Sequence, residues 1–295
     1  MIPIINRIGD RLNEYGKLVM FSHTIFSLPF GLLAMVWAYG GLPSMSMSAY
    51  ILAALVAART GANAFNRIAD KEIDAKNPRT AGRPLQRRAV KLREAWAITI
   101  ISFVILAFCA WRLNPLCLAL LPLALGIFVL YSYTKRFTWL CHFVLGLACG
   151  GAPVGAWAAA TGTLSLTAFA LGGAVCFWVA GFDIIYATAD IEFDRRERLH
   201  SVPARFGRDK ALNIAALNHA ASLGCLLFIA IIAPRGLLYF AGIAAAAALM
   251  ALEHAGARGI IKLKFQFISY GVNQLVSIVF FTFALADFLF TANVI

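Results

Sequence analysis

Charged residues are scarce in this 295-residue chain, and their scarcity excludes a soluble globular protein. Asp, Glu, Lys and Arg make up only 14% of the residues, whereas 61% are hydrophobic and the mean hydropathy is +0.78. A soluble domain carries about 25% charged residues, and one core of ordinary size cannot bury this much apolar surface. The composition therefore predicts a protein that lies in a bilayer, where each spanning helix needs roughly 20 apolar residues.

Paired cysteines are also missing, which argues against a disulfide scaffold and against a cysteine-based metal site. The six cysteines all lie in apolar stretches and none belongs to a CxxC pair. We interpret them as small buried residues. The 23 glycines and 10 prolines are too few for a collagen-like chain, and the high hydrophobic fraction excludes a disordered one.

Nine apolar stretches are long enough to cross a bilayer. They predict helices at roughly 17–39, 47–66, 95–112, 115–133, 138–160, 166–189, 210–233, 236–253 and 268–291. We expect an all-α integral membrane protein with a single domain over residues 1–295, built as a bundle of about nine transmembrane helices around a central cavity. We expect no cleavable signal peptide, since the N-terminus is charged and the first apolar run is long enough to span.

Basic residues are concentrated in alternate connections between the predicted helices. If the N-terminus is cytoplasmic, 23 of the 26 Lys and Arg residues lie in inside segments, and only Arg112 and Arg235 lie outside. This asymmetry follows the positive-inside rule and accounts for the net charge of +12 without a nucleic-acid partner. We expect a multi-pass protein of the cell (inner) membrane, with two helical cap loops, 67–94 and 190–210, on the cytoplasmic side.

The first charged connection carries Asn66, Asp70 and Asp74, spaced four residues apart. On a helix that continues from the second span, this spacing puts three oxygen-bearing side chains on one face. A solvated helix end is the structural alternative, but carboxylates at i and i+4 repel each other. Hard oxygen ligands beside an apolar span are explained better by a bound divalent cation.

The second charged connection repeats the pattern with Asp183, Tyr186, Asp190 and Asp194, again on one helical face. Asp183 lies inside the apolar run, where an unpaired carboxylate is costly and indicates a functional site. Both acidic faces are flanked by Arg and Lys. Together they predict a site in which Mg²⁺ joins carboxylates to a diphosphate and the basic residues neutralise the remaining charge.

These paired motifs resemble the signatures of the UbiA superfamily of integral-membrane prenyltransferases, and in particular its 4-hydroxybenzoate polyprenyltransferase or UbiA-like subgroup. The resemblance covers nearly the whole chain and includes the segments 21–30, 79–84, 131–136 and 146–157. Two positions depart from the family pattern. Arg67 stands where many relatives have Asp, and Ser132 stands where a Pro is usual.

The resemblance implies Mg²⁺-dependent transfer of a polyprenyl group from polyprenyl diphosphate to an aromatic acid of the 4-hydroxybenzoate type, in ubiquinone or menaquinone synthesis. It implies that Asp70, Asp183 and Asp190 are catalytic. The implied metal ligands are Asn66, Asp70, Asp74, Asp183, Asp190 and Asp194. The implied substrate-binding residues are Arg59, Asn66, Arg67, Lys135, Arg136 and Tyr186, with Arg59 placed for the acceptor carboxylate and the Lys-Arg pair for the diphosphate.

Two other classes of membrane protein also use carboxylates within the bilayer. A CDP-alcohol-type phosphotransferase would carry the signature Asp-x-x-Asp-Gly-x-x-Ala-Arg, which the sequence lacks. An ion-coupled transporter would place its polar residues near mid-membrane in broken helices and would show an internal repeat. The carboxylates here cluster at one boundary instead. The sequence therefore favours the prenyltransferase, with its two substrates and the bilayer as partners, and indicates neither nucleic acid nor an obligate protein partner.

Overall fold

The computed structural model describes residues 2–21, 24–265 and 267–292, and in these ranges the chain is helical with no β-strand. Ser22 and His23, within the 21–30 segment of the family resemblance, lie outside the described residues. The helices are α1 (Ile2–Leu18), α2 (Thr24–Tyr39), α3 (Met45–Ala69), α4 (Lys71–Lys76), α5 (Leu92–Leu113), α6 (Pro115–Thr134), α7 (Cys141–Thr161), α8 (Leu166–Ala187), α9 (Ile191–Arg196), α10 (Val202–Phe206), α11 (Arg208–Ile232), α12 (Leu237–Ala257) and α13 (Val272–Ala292).

Among the described residues, eight helices are long and apolar enough to cross a membrane, and α2 is a shorter apolar helix. The predicted all-α fold is confirmed, and eight of the nine predicted spans begin and end within about four residues of an observed helix. The first span is the exception, since the sequence predicts a helix from residue 17 onward. Helix α1 ends at Leu18 and is followed by Met20, whose φ of 51° lies outside the right-handed helical region.

The outer faces of the bundle are apolar, as a lipid solvent requires. Ile231 is 80% exposed and Leu237 is 84% exposed. The buried core contains large rings from several helices: Phe30 on α2 lies 5.5 Å from Trp178 on α8 and 5.7 Å from Phe280 on α13, between ring centroids. The chain is a multi-pass membrane protein.

The motif helices do not continue through their acidic residues as predicted. Helix α3 ends before Asp70, and α8 ends before a 3₁₀ turn at Thr188–Asp190. Asp70 and Asp190 have ψ values of 6° and 7°, far from the helical value of about −42°. The first motif therefore bends at Asp70 and the second at Asp190. Helix α4, which follows Asp70, belongs to a first cap over the bundle. Helix α9, which follows Asp190, belongs with α10 to a second cap.

Helices α7 and α8 pack with their backbones in contact because glycines face the contact. A Cβ atom at Gly146 would overlap the carbonyl oxygen of Cys176, and one at Gly150 would overlap that of Gly172. Small residues of this kind allow close helix packing within a bilayer. The contact sets the distance between the inner ends of α7 and α8, where site residues lie.

Helix α1 is fastened to the cap formed by residues 70–91. Arg11 donates to the carbonyl of Ala89 at 2.9 Å and contacts Glu94 at 2.5 Å. Glu14 pairs with Arg87, whose guanidinium holds the pKa of that carboxyl below its ordinary value. Leu18 is buried in a small apolar cluster with cap residues. The first cap is thus held between α1 and the bundle.

Candidate active site

A polar cavity of about 180 Å³ lies between the two caps and the inner ends of α3, α6 and α8. The predicted site residues that line it are Arg59, Asn66, Arg67, Asp70, Asp74, Lys135, Asp183, Tyr186, Asp190 and Asp194. Arg136 does not line it. Its guanidinium donates to the carbonyl of Ala69 and lies 3.8 Å from a carboxylate oxygen of Asp70.

Asp70 is 3% exposed and its two oxygens differ in their surroundings. Oδ2 accepts from Lys135 Nζ at 2.7 Å and from Asn66 Nδ2 at 3.3 Å. Oδ1 is buried and receives no hydrogen bond from any described residue. A buried carboxylate oxygen without a hydrogen-bond donor is costly. Asp70 Oδ1 therefore has the Arg136 guanidinium as a charged neighbour at 3.8 Å but lacks a hydrogen-bond donor.

Asp74 is neutralised within the first cap. Arg83 Nη1 lies 2.5 Å from Asp74 Oδ2, and Arg67 Nη1 lies 3.9 Å from the same oxygen. Thr80 donates its hydroxyl to the Asp74 carbonyl at 2.8 Å. Arg67, at a position where the family pattern has Asp, is buried beside Asp74 and shares that carboxylate with Arg83.

Asp190 joins the second motif to the first cap. Arg79 Nε donates to Asp190 Oδ1 at 3.0 Å, a second nitrogen of the same guanidinium pairs with Oδ2, and Asn77 donates to Oδ1 at 3.1 Å. The Arg79 guanidinium also lies 4.3 Å from the ring centroid of Tyr186, in cation–π geometry. Burial alone would lower the pKa of Arg79, but the hydrogen bonds and charge of Asp190 outweigh it and raise that pKa.

Asp183 and Asp194 have uncharged or weakly basic partners instead of guanidinium groups. Asp183 Oδ2 lies 2.7 Å from His142 Nδ1 on α7. Asp194 Oδ2 accepts from the Ser201 hydroxyl at 2.7 Å, just before α10. Both partners come from outside the acidic motif.

A second, apolar cavity of about 250 Å³ adjoins the first and is lined by side chains of α3, α5, α6 and α7. The two cavities share the residues Arg59, Asn63, Tyr131, Leu145 and Cys149. One space therefore runs from a charged inner end to an apolar interior.

Arg59 lies at the junction of the two cavities. Its Nη1 donates to Cys149 Sγ at 3.1 Å, its Nε is buried without a hydrogen-bond partner, and no described carboxylate lies within 4 Å. Thiols accept hydrogen bonds only weakly. The guanidinium is thus a partly buried cation without an anionic partner among the described residues.

Comparison with known proteins agrees with this architecture. Residues 27–260 match the model of the UbiA prenyltransferase family. The chain is 34% identical over 262 residues to a 4-hydroxybenzoate octaprenyltransferase of Azoarcus sp., covering 84% of this chain and 86% of that protein. The chain belongs to the UbiA prenyltransferase family. This membership confirms the resemblance seen in the paired motifs and makes the protein a membrane-bound transferase.

Other relatives and solved structures extend the comparison. A 4-hydroxybenzoate solanesyltransferase of Synechocystis sp. is 32% identical over 215 residues, covering 73% of each chain. The apo structure of a UbiA homolog from Aeropyrum pernix is 36% identical with a TM-score of 0.80, covering 90% of this chain and 98% of that one. A UbiA homolog from Archaeoglobus fulgidus bound to GPP and Mg²⁺ has a TM-score of 0.70 at 19% identity, covering 94% and 99%.

For several residues of this UbiA family site, the sequence does not predict any role. They are Asn77, Arg79, Arg83, His142 and Ser201. Arg79 and Arg83 belong to the 79–84 segment of the family resemblance, but nothing in their spacing indicates which carboxylate each would meet. His142 lies in an apolar span far from Asp183 in sequence, where a histidine is ordinarily structural. Only the packing of α7 against α8 reveals that contact.

The site fits a divalent cation by the chemistry of its oxygen donors. Within the described ranges, no three His, Cys, Asp or Glu side chains converge on one point, because Lys135, Arg79 and Arg83 pair with the carboxylates. These cations line the cavity and can transfer their hydrogen bonds to a diphosphate. The carboxylates would then be open to Mg²⁺, which prefers oxygen ligands and substrate phosphates.

Proposed function

We propose that this UbiA family member catalyses Mg²⁺-dependent transfer of a polyprenyl group from polyprenyl diphosphate to an aromatic acid of the 4-hydroxybenzoate type. The observation that carries the proposal is the pair of joined cavities, one charged and one apolar, which meet at Arg59. The names of the relatives and the GPP and Mg²⁺ bound to the Archaeoglobus fulgidus homolog support it.

The charged cavity would hold the diphosphate. Asp70, Asp183, Asp190 and Asp194 would bind Mg²⁺ together with Asn66 and Asp74, and the bound cation would act as a Lewis acid on the leaving diphosphate. Lys135 and Arg79 are placed to donate to the phosphate oxygens once they release Asp70 and Asp190. Arg136, which already lies behind Asp70, adds positive charge to the same end of the cavity.

The apolar cavity would hold the first isoprene units and keep water from the reacting carbon. The bond between the allylic carbon and the diphosphate oxygen breaks, and its electron pair leaves with the diphosphate. The ring carbon beside the phenol oxygen then forms the new carbon–carbon bond and the ring loses a proton. Exclusion of water protects the allylic cation from hydrolysis. Leu123 and Leu147 line the cavity and are exposed at the outer surface, so a longer tail would leave between α6 and α7.

Arg59 would recognise the acceptor. A carboxylate on the aromatic ring would supply the anionic partner that this partly buried guanidinium lacks, through two parallel hydrogen bonds that also orient the ring. Because Arg59 lies where the cavities meet, the ring would be held beside the allylic carbon. This geometry favours an aromatic acid over a neutral phenol.

We also propose that the site lies at the cytoplasmic face of the cell (inner) membrane and serves the synthesis of a respiratory quinone, ubiquinone or menaquinone. Support comes from the 23 basic residues in the inside segments and from the contact of Arg79 with Asp190, which joins both caps. Cysteine labelling of 67–94 and 190–210 from the cytoplasmic side tests the orientation. Labelling of the two segments from opposite sides would contradict it.

The activity is tested by product analysis. Purified protein is incubated with Mg²⁺, polyprenyl diphosphates of graded length and a panel of aromatic acids, and the products are identified by mass spectrometry. We expect a prenylated aromatic acid that forms with wild-type protein and does not form with the Asp70→Asn variant. Release of diphosphate without any prenylated product, whatever the aromatic acid, would argue against the proposal.

A further inference from the structure

His142 connects the second acidic motif to the second cap. The residue is 3% exposed and lies one position after the start of α7. Its Nδ1 lies 2.7 Å from Asp183 Oδ2 on α8, and its Nε2 accepts from the backbone N–H of Val202, the first residue of α10, at 3.3 Å. Both ring nitrogens are therefore in use.

The contact with Val202 determines where the imidazole carries its proton. A backbone N–H can only donate, so Nε2 accepts and has no proton of its own. The single proton of a neutral imidazole then lies on Nδ1 and is donated to Asp183. The imidazole of His142 thus accepts from Val202 at Nε2 and donates to Asp183 from Nδ1.

Asp183 Oδ2 has His142 as its hydrogen-bond partner, and Asp183 Oδ1 remains available to a ligand. No hydrogen bond among the described residues uses Oδ1, and the Asp183 side chain is 26% exposed in the polar cavity. With Oδ2 held by His142, the carboxylate cannot rotate freely about its last bond. Oδ1 is thereby presented to the cavity in one orientation.

The surroundings of His142 hold this geometry in place. Gly146, one turn later on α7, allows backbone contact with Cys176, which lies seven residues before Asp183. On the other side, the N–H of His200 donates to the Lys135 carbonyl at 2.7 Å. The 3.3 Å contact with Val202 thus extends an existing attachment of the second cap to the inner ends of α6 and α7.

We propose that His142 is a positioning residue, which orients Asp183 toward the divalent cation and the diphosphate and makes that orientation depend on the docking of α10. The inference rests on the proposed function. Hydrogen-bond partners of metal ligands typically change metal affinity by about 10- to 100-fold when they are removed. Arg79 and Arg83 act on other carboxylates, so His142 is the partner that serves Asp183.

Two amide variants separate the two hydrogen bonds of His142. His142→Asn places an amide N–H close to the position of Nδ1, so it retains the donor to Asp183 and loses the acceptor for Val202. His142→Gln places its amide near Nε2, so it retains the acceptor and loses the donor. The probe is Mn²⁺ binding, followed by electron paramagnetic resonance in the presence of an unreactive prenyl thiodiphosphate, with thermal midpoints and steady-state kinetics measured on the same samples.

We expect His142→Gln to weaken Mn²⁺ binding by about 10- to 100-fold, with the KM for the aromatic acid unchanged because Asp183 does not hold the acceptor. His142→Asn should stay closer to the wild type in Mn²⁺ affinity. A merely structural histidine would lower the thermal midpoint and impair all parameters in both variants alike. Equal losses in the two variants, or wild-type affinity in His142→Gln, would overturn the inference.

If neither amide variant folds, His142→Phe decides the question. The phenyl ring keeps a buried aromatic side chain of similar size and loses both hydrogen bonds of the imidazole. Weaker Mn²⁺ binding with an unchanged KM for the aromatic acid is expected, and wild-type Mn²⁺ affinity would overturn the inference. Absence of Mn²⁺ binding in the wild type would overturn the proposed function as well. Wild-type Mn²⁺ affinity in the variants, measured together with a wild type that binds Mn²⁺, would overturn this inference alone.

Discussion

Replacement of Arg59 by lysine tests how the acceptor is recognised. The variant keeps the positive charge at the junction of the two cavities but loses the planar fork of the guanidinium. A guanidinium can form two parallel hydrogen bonds with a carboxylate, and the single ammonium group of lysine cannot reproduce both. The present weak partner, Cys149 at 3.1 Å, offers no compensation for either residue.

The size of the effect follows from the one hydrogen bond that is lost. A hydrogen bond to a charged group contributes about 1.5–3 kcal/mol. Since each 1.4 kcal/mol corresponds to a factor of ten, the KM for the aromatic acid should rise roughly 10- to 150-fold. Lost binding that is common to the ground and transition states raises KM and leaves kcat largely unchanged. The KM for polyprenyl diphosphate should hardly change, because Lys135 and Arg79 serve the diphosphate end.

The assay varies one substrate while the other is saturating and quantifies the prenylated product by mass spectrometry. A phenol without a carboxylate serves as the control substrate, with which wild type and variant should have the same kcat/KM. Arg235→Lys serves as the matched control variant, since Arg235 stacks on Trp37 at 3.7 Å, away from both cavities, and its replacement should leave both KM values unchanged. Equal increases in both KM values for Arg59→Lys, or a deficit that persists with the neutral phenol, would refute the reasoning.

Three further predictions concern the carboxylates and the opposite end of the bundle. Asp70→Asn should lower kcat by at least roughly 100-fold in the prenyl transfer assay. The side chain loses its negative charge, and the leaving group therefore loses electrostatic stabilisation. A rate near that of the wild type would contradict this role. EDTA should stop the wild-type reaction and excess Mg²⁺ should restore it, as followed by product formation, whereas turnover that continues in chelator would contradict the metal site. Asp287→Ala should destabilise the protein by about 1–2 kcal/mol, seen as a lower thermal midpoint with unchanged KM values, because the Asp287 carboxylate accepts from Gly236 and Tyr239 at 2.9 and 3.1 Å and caps α12. An unchanged thermal midpoint would show that this N-terminal helix cap contributes nothing to stability.

Hydropathy and residue spacing along the chain were enough to predict eight of the nine spans and the two acidic motifs. Helices α5 and α6 begin and end within three residues of the predicted positions, because the partition of an apolar run into lipid depends on that run alone. The boundary between these two helices is also local. Asn114 separates them and caps α6 by accepting from the N–H of Cys117 at 3.0 Å.

The partner of each acidic residue, in contrast, could not be predicted from the order of residues. Asp190 pairs with Arg79, 111 residues away, and Asp183 pairs with His142, 41 residues away. Neither pairing leaves a periodic signal in the chain, since each depends on how the caps and helices are placed in three dimensions. The bends at Asp70 and Asp190 were also not predicted, because a spacing of four residues is compatible with a continuous helix and with a helix that breaks at its central Asp.

The junction of the two cavities depends on tertiary packing in the same way. The isolation of Arg59 from nearby acids could be predicted from its own helix, but its position between a charged and an apolar space results from the packing of α3, α6 and α7. Hydropathy and helical spacing are local properties, summed along one segment, and so they can be read from the order of residues. A buried ion pair or a cavity depends on the distance between side chains of different helices, and that distance exists only once the glycine-mediated contact of α7 with α8 and the two caps have formed.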